Sequence, residues 1–223
     1  MWIKRRRRCM SAVVAAGNVF LRLSRSRIVM FSSTARWKQR ELDAARTLYG
    51  SDAAGDAGPR AIWSLHVPGE SLEHLLDRGA LGPAALGAAA GALRAAHARV
   101  GRAGDPFSHG DPHTQNVLFD GRTARLIDFE TEHEPGLPAA DRHADDVLVL
   151  ALDLLGRAGR DDGVAAAAAV TLGYGDDALR ARVCERLVPP RGLEAVLWST
   201  RTARLPAPEL AIRLSRLRAR LSR

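Results

Sequence analysis

The chain has 223 residues, enough for one domain or one domain of two lobes with a sizeable core. Its formal net charge is +8 and arginine dominates, with only two lysines among 33 basic residues. Cys9 and Cys184 are too few and too far apart for a disulfide framework or a cysteine metal site. No stretch approaches the roughly 18 unbroken apolar residues of a membrane span.

The basic residues cluster at the two ends of the chain. Residues 5–8 are a run of arginines, and residues 209–221 form a basic amphipathic helix pattern. One face of that helix carries Leu210, Leu214, Leu217 and Leu221. This face favours core packing; peripheral contact with an anionic membrane surface or with a partner is the alternative. Nucleic-acid binding is disfavoured, since no helix-turn-helix signature, zinc spacing or interleaving of aromatic and basic residues accompanies the charge.

The first 30 residues predict strands. Residues 1–8 followed by the apolar residues 11–16 are similar to the start of a signal peptide. Gly17 and Asn18 interrupt the apolar stretch, which then continues to residue 23, so we favour strands over a cleaved leader. A further apolar run at residues 27–31 also predicts a strand.

The next segments alternate between helix, loop and strand. Lys38 and Glu41 fall in a predicted helix, and residues 50–59, rich in Gly, Ala and Asp, predict a loop. Residues 61–67 are apolar and extended in character. Pro68-Gly69 ends that strand, and Ser71 begins a short helix.

The central segment predicts a hairpin that carries polar residues. Two apolar runs, residues 116–119 and 126–129, flank Asp120-Gly121, a strong turn signal. Folding these runs together brings Asp128 close to Asn116, so that one cation could contact both side chains. Carboxylate and amide oxygens are the ligands that magnesium prefers.

Asp111, Asn116 and Asp128 reproduce a spacing used for phosphoryl transfer. Kinase catalytic loops place an Asp and an Asn five residues apart, and a second Asp follows in the next hairpin. The spacing predicts Asp111 as the catalytic residue and Asn116 and Asp128 as magnesium ligands. His109, Asp111 and His113 could instead form a hydrolase metal site, which would leave that spacing as coincidence.

These residues resemble the aminoglycoside phosphotransferase and choline kinase group, and also the lipopolysaccharide sugar kinases. The resemblance rests on the opening His109-Gly110-Asp111 and on Asp128-Phe129-Glu130. It implies an α+β, protein-kinase-like fold of two lobes. Residues 1–65 would form an abbreviated, β-rich small lobe, and residues 66–223 a mostly helical large lobe with its catalytic loop at 108–130.

The resemblance also implies roles for single residues. Asp111 would be the catalytic base, and Asn116 and Asp128 would hold magnesium. His109 would brace the loop, and His113 would lie near the phosphates.

Two flanking segments fit the same group. A helix over residues 86–100 leads into the loop, and a second apolar helix runs over residues 140–155. In this group an Asp of the second helix braces the catalytic loop. Asp145 fits that role best, with Asp146 or Asp141 as alternatives, although acidic residues also favour a helix start by themselves.

The segments that would bind the nucleotide match the group less well. The sequence has no Gly-x-Gly-x-x-Gly, and the strand at 27–31 offers Met30 where the group has a phosphate-binding Lys. Lys38 is the candidate replacement and Glu41 its candidate partner, although residues three apart also form ordinary surface pairs. An arginine could take the role instead, such as Arg25, Arg27 or Arg36. By resemblance, the backbone of His66 and Val67 would bind adenine between the lobes.

Together these features predict a phosphotransferase that uses ATP and Mg²⁺. The acceptor would be a hydroxyl of a small molecule, a sugar or a lipid-linked glycan, in the cytoplasm or at the inner face of the membrane. The alternative is a pseudokinase or nucleotide-binding scaffold without turnover. Retention of Asp111, Asn116 and Asp128 together favours the enzyme.

Overall fold

The computed structural model describes residues 1–7, 9–101 and 104–223, and it confirms the mixed α+β class. The strands are β1 (Trp2–Arg5), β2 (Ile28–Met30), β3 (Ala54–Gly58), β4 (Ala61–Ser64), β5 (Glu70–Ser71), β6 (Val117–Phe119), β7 (Ala124–Leu126) and β8 (Thr131–His133). The helices are α1 (Met10–Leu23), α2 (Thr34–Tyr49), α3 (Leu72–Asp77), α4 (Pro83–His97), α5 (Ala139–Arg157), α6 (Arg160–Gly173), α7 (Asp177–Arg186), α8 (Leu193–Arg201) and α9 (Ala207–Leu221).

The first sheet contains the start of the chain as an edge strand, beside the central strand β4. Its order is β1-β4-β3, with all pairs antiparallel, and Lys4 lies opposite Ile62. Helix α2 packs on this sheet through Trp37 and Leu42, which form a small core with Ile62. The segment predicted as a loop at 50–59 contains β3, because its small residues can pair closely with β4.

Residues 10–23 form a helix, so the prediction of strands there is wrong. Val14 and Leu21 are seven residues apart, which is two helical turns, and both are buried. Gly17 and Asn18, which looked like interruptions, instead dock α1 onto β2. A Cβ at residue 17 would lie 2.6 Å from Met30 Cε, and the Asn18 amide bonds both the N–H and the carbonyl of Met30.

Strand β2 confirms the extended prediction at 27–31, but it does not join the first sheet. It pairs with β8, and Val29 lies opposite Glu132. Helix α1 and strand β2 therefore attach to the segment that follows Asp128. This attachment brings α1 beside the predicted catalytic residues.

The predicted hairpin is confirmed as β6 and β7. The Asp120 carboxylate accepts hydrogen bonds from the N–H groups of Arg122 and Thr123, so the connection is a four-residue turn. The second strand ends at Leu126, earlier than predicted, and the N–H of Ile127 donates to Asn116 O at 2.9 Å. Because β7 ends at Leu126, the backbone leaves the hairpin there and turns at Asp128, whose φ is +65°.

The main core is helical. Helix α5 is buried along most of its length and packs against α4, α6 and α7, and the alanines of α6 permit close approach. The leucine face of α9 is buried, which confirms the prediction of core packing: Leu210, Leu214, Leu217 and Leu221 all belong to the main core. Among the described residues, no helix is both long and apolar enough to cross a membrane.

We expect Leu217→Ala to lower the free energy of unfolding by about 2–5 kcal/mol, because Leu217 is fully buried and the cavity would not refill. Ile212→Ala on the same helix is the control; its side chain is 43% exposed and should change stability by about 0.5 kcal/mol or less. Urea unfolding followed by circular dichroism measures both. Equal losses in the two variants would contradict the packing of α9.

Candidate active site

The predicted catalytic loop is held in place by the Asp146 carboxylate of α5. Asp146 Oδ2 accepts a hydrogen bond from the N–H of His109, and Oδ1 accepts one from the N–H of Gly110, both at 2.7 Å. His97 Nε2 lies 3.0 Å from Oδ2. Burial alone would raise the pKa of Asp146, but His133, His97 and His109 outweigh it and lower the pKa to about 2.

The bracing residue is therefore Asp146, and the preference for Asp145 is wrong. Within the part of the chain that the structure describes, Asp145 bonds no backbone N–H of the loop; its carboxylate lies 3.3 Å from His133 Nε2 and binds Arg186. Burial opposes its ionisation, but these partners hold the pKa of Asp145 well below its usual range. Adjacent helix residues point about 100° apart, so only packing decides which one meets the loop.

His109 is a structural residue, as the resemblance implied. Its ring is fully buried, and Nε2 lies 2.9 Å from Ile127 O. A carbonyl can only accept, so Nε2 carries the proton and Nδ1 is free to accept from the N–H of Asp111. Burial also lowers the pKa of His109. A hydrolase metal site on His109 and His113 is therefore disfavoured, because both His109 nitrogens are already used.

Gly110 permits the sharp path of the loop. Its φ is +93°, and a Cβ there would lie 2.6 Å from Thr131 Oγ1. A larger residue would meet both backbone strain and a steric clash. The glycine of the His-Gly-Asp sequence is therefore required by the backbone conformation of the loop and by the lack of space beside Thr131.

Asn116 closes a short 3₁₀ turn that spans Thr114–Asn116. Its Nδ2 donates to Asp111 O at 3.0 Å, which leaves Oδ1 as the atom that could meet a cation. Thr114 anchors the turn by donating its N–H to Asp153 Oδ2 at 2.8 Å. His113 Nε2 lies 4.0 Å from Asp111 Oδ2, so His113 lies next to the catalytic candidate.

The lysine that contacts Asp128 is Lys4. Lys4 Nζ lies 2.5 Å from Asp128 Oδ1, 2.5 Å from Glu41 Oε1 and 2.8 Å from Glu130 Oε1. Asp128 has a φ of +65°, a left-handed conformation that Asp tolerates better than most residues. The structure thus joins β1, α2 and the segment after the hairpin at one ammonium group.

The three carboxylates of this cluster hold Lys4 charged, although they repel one another. Burial raises the pKa of Glu41, while Lys4 opposes that rise. Burial alone would lower the pKa of Lys4, but Glu41, Asp128 and Glu130 more than offset it, and the net effect is a raised pKa. Lys4 is therefore a firmly charged ammonium held at the catalytic loop.

The structure does not bring Lys38 to this cluster. Lys38 Nζ donates to Asp56 Oδ2 at 2.6 Å and to Gly58 O at 2.7 Å, on the β3 side of α2. Glu41, three residues later, faces Lys4 instead. Sequence reasoning missed Lys4, although an apolar pair precedes it and it is one of only two lysines in the chain.

A second missed residue, Arg40, ties α2 to the loop. Its guanidinium donates to Ser108 O at 2.6 Å and to Thr131 O at 3.1 Å, and its charge lies over the Phe107 ring. Burial lowers the pKa of Arg40. Arg40 thus contacts the loop directly, whereas the neighbouring Glu41 is linked to it through Lys4.

A cavity of about 330 Å³ brings the predicted residues together. Asp111, Asn116 and Asp128 line it, with His113, Glu130 and Thr131 beside them. The remaining lining consists of arginines and apolar side chains: Arg5, Arg6, Arg7, Met10, Val14, Met30, Phe31 and Trp37. The cavity thus combines acidic and amide groups with basic and apolar ones.

His66 and Val67 do not line this cavity. They follow β4, where His66 is exposed and its ring stacks on Trp2 with a centroid distance of 6.0 Å. Their predicted contact with adenine stays a prediction. Strand β4, which they follow, pairs with the Lys4-bearing β1.

The oxygen donors of the site fit a divalent cation. Glu41, Asp128 and Glu130 offer carboxylate oxygens within 4.8 Å of one another, but Lys4 Nζ already lies among them. Asn116 and Asp128 line the same cavity and stay the predicted pair, since magnesium needs few protein ligands and keeps its waters.

His143 supports the loop from the side of α5. Its ring stacks on His97 at 3.9 Å, and Nε2 lies 3.0 Å from Phe107 O. Burial, assisted by the neighbouring His97, lowers the pKa of His143 to about 4.

No family model, no curated protein and no solved structure matches this chain. The function is therefore argued from the geometry of the site and from the spacing of its residues.

We expect the free energy of unfolding to fall as the pH is lowered from about 6.5 towards 4. Unfolded His143 takes up its proton near 6.5, whereas the folded residue does so near 4, so the unfolded state gains protons first. His143→Phe keeps the stacking and should make this pH dependence shallower, whereas His66→Phe at an exposed site should not. Urea unfolding across this pH range measures the slopes. Parallel curves for wild type and His143→Phe would contradict the assignment.

Proposed function

We propose that this chain is an ATP-dependent phosphotransferase with a protein-kinase-like arrangement of two lobes. The observation that carries the proposal is the Lys4 ammonium, which is held by the buried Glu41 and lies 2.5 Å from Asp128. A lysine paired with a helix glutamate, facing a metal-binding aspartate, is the constellation that protein kinases require for activity. It was not used to predict Asp111, Asn116 and Asp128, so it supports them independently.

Each residue has a role that its position permits. Asp111 would accept the proton of the acceptor hydroxyl and orient its oxygen for attack on the γ-phosphorus. Lys4 would move its charge from Asp128 to the nucleotide phosphates. Asn116 Oδ1 and Asp128 would hold Mg²⁺, which supplies neutralisation of the phosphate charge when bound. Rate enhancement would come mainly from positioning and electrostatics.

The acceptor would approach from the cavity. Arginines and apolar side chains share its lining, which suits an acceptor with both polar and apolar parts. A lipid-linked glycan has that character, and a sugar or another small molecule would use part of the lining. Because the reaction needs ATP, the proposal places the active site in contact with the cytoplasm.

A nucleotide-binding module without turnover is the second candidate. Its support is that Asp128 is already paired with Lys4, while Glu130 adds a further carboxylate to the same ammonium. The sequence also lacks a Gly-rich phosphate cover. In that case nucleotide would bind and no phosphoryl group would move.

We expect wild-type protein to bind ATP in a magnesium-dependent manner in titration calorimetry. Asp128→Asn should lose the magnesium dependence, because it removes the charged metal ligand. Asp111→Asn should still bind ATP but lose ATP consumption in the presence of an acceptor. Binding without consumption by the wild type across an acceptor screen would favour the second candidate. Absence of ATP binding by folded wild type would refute both.

We expect Lys4→Met to reduce ATP consumption by about 10²-fold, because it removes a preorganised cation from the phosphates. Lys38→Met is the matched control, since Lys38 pairs with Asp56 away from the cavity, and it should keep most of the activity. Circular dichroism verifies that both variants fold. A larger loss of activity in Lys38→Met than in Lys4→Met would instead assign the contact with the phosphates to Lys38.

A further inference from the structure

The outer face of α1 is apolar and exposed. Seven residues of this helix are exposed and six of them are apolar: Ala12, Val13, Ala15, Ala16, Val19 and Leu23, with Arg22 as the seventh. The three largest apolar side chains, Val13, Val19 and Leu23, are 60–63% exposed. The inner face of the helix packs on β2. The outer face is covered by no part of the chain that the structure describes.

Basic residues surround this face at both ends. Arg5 and Arg7 are exposed just before α1, and Arg22 and Arg25 are exposed at its end. None of these four forms an ion pair with a carboxylate among the described residues. One acidic residue, Glu134, lies beside Val19 and Leu23 in the shallow groove between α1 and β2.

The charge of the whole chain has the same asymmetry. Residues 1–40 contain eleven of the 33 Lys and Arg residues and none of the 25 Asp and Glu residues. Residues 41–223 therefore hold 22 basic against 25 acidic side chains, and the net positive charge belongs to the N-terminal segment. Such a segment attracts an anionic surface.

We infer that α1 docks on an anionic membrane surface, with its apolar face in the headgroup layer and its flanking arginines on the lipid phosphates. An exposed apolar helix face bordered by arginines is the arrangement of helices that lie in the membrane interface. This inference goes beyond the proposed function and does not depend on it.

Two other occupants fit less well. In a pair of α1 helices from two copies, parallel or antiparallel, the arginines of one helix would lie next to those of the other. Nucleic acid would meet aliphatic side chains that can neither stack on bases nor donate hydrogen bonds. An anionic bilayer offers both the apolar layer and the opposite charge.

Membrane docking through α1 would bring the catalytic cavity to the bilayer. Met10 and Val14 on the inner side of the helix line that cavity. If the proposed function also holds, the acceptor hydroxyl would belong to a lipid or a lipid-linked glycan presented at the surface.

The test is co-sedimentation of the full chain with vesicles of phosphatidylcholine alone and of phosphatidylcholine mixed with phosphatidylglycerol. We expect binding to the mixed vesicles only, weakened by salt. The double variant Val19→Glu with Leu23→Glu should reduce partitioning by about a hundredfold or more. Ile212→Glu on α9 is the matched control for an exposed apolar site and should bind like the wild type.

A second variant keeps the test informative if the first fails to fold. Arg22→Gln with Arg25→Gln leaves the apolar face intact and should weaken binding roughly thirtyfold, by the loss of two interfacial charges. Absence of vesicle binding by wild type would overturn the inference. So would a loss caused by Ile212→Glu alone, wild-type binding by both α1 variants, or a dimer or oligonucleotide complex that α1 substitutions abolish without any vesicle binding. Vesicle binding needs no ATP, so this result is separable from the phosphotransferase proposal.

Discussion

The buried carboxylate of Asp146 is the interaction on which the rest of the site depends. It accepts the N–H groups of His109 and Gly110, and it reaches His97 on a third element. Several hydrogen bonds offset the desolvation of this carboxylate. Without it, the donors that bond to it would lie unsatisfied in a low-dielectric interior. The path of the loop before Asp111 follows from this side chain, while Asp153 of the same helix anchors the turn that carries Asn116.

The second constraint joins the N-terminal layer to that loop. Lys4 is drawn from β1 to carboxylates of α2 and of the segment after the hairpin, and Arg40 binds loop carbonyls from the neighbouring position on α2. The contacts of Lys4 are electrostatic and partly exposed, so under the proposed function the ammonium would exchange a carboxylate for a phosphate. Asp146 thus fixes the loop, while Lys4 supplies a cation beside it.

Helix α1 connects the site to the outside of the molecule. Its inner face is set by Gly17 and Asn18 against β2, and β2 in turn pairs with the strand that follows Asp128. The outer face is left apolar between two groups of arginines. The same helix therefore lines the cavity through Met10 and Val14. It also presents the exposed apolar side chains of Val13, Val19 and Leu23 to the outside.

The sequence alone determined what depends on near neighbours. The hairpin, the approach of Asp128 to Asn116, the capped helix after Ser71 and the buried face of α9 follow from turn residues and periodicity over short separations. Only the tertiary structure decided which lysine meets Glu41, because Lys4 and Asp128 are 124 residues apart and their pairing depends on the β1-β4-β3 sheet. It also decided between Asp145 and Asp146, since the rotation of a helix is set by packing. It also decided how residues 10–23 pack, since α1 docks on β2 through Asn18 and β2 pairs with the distant β8.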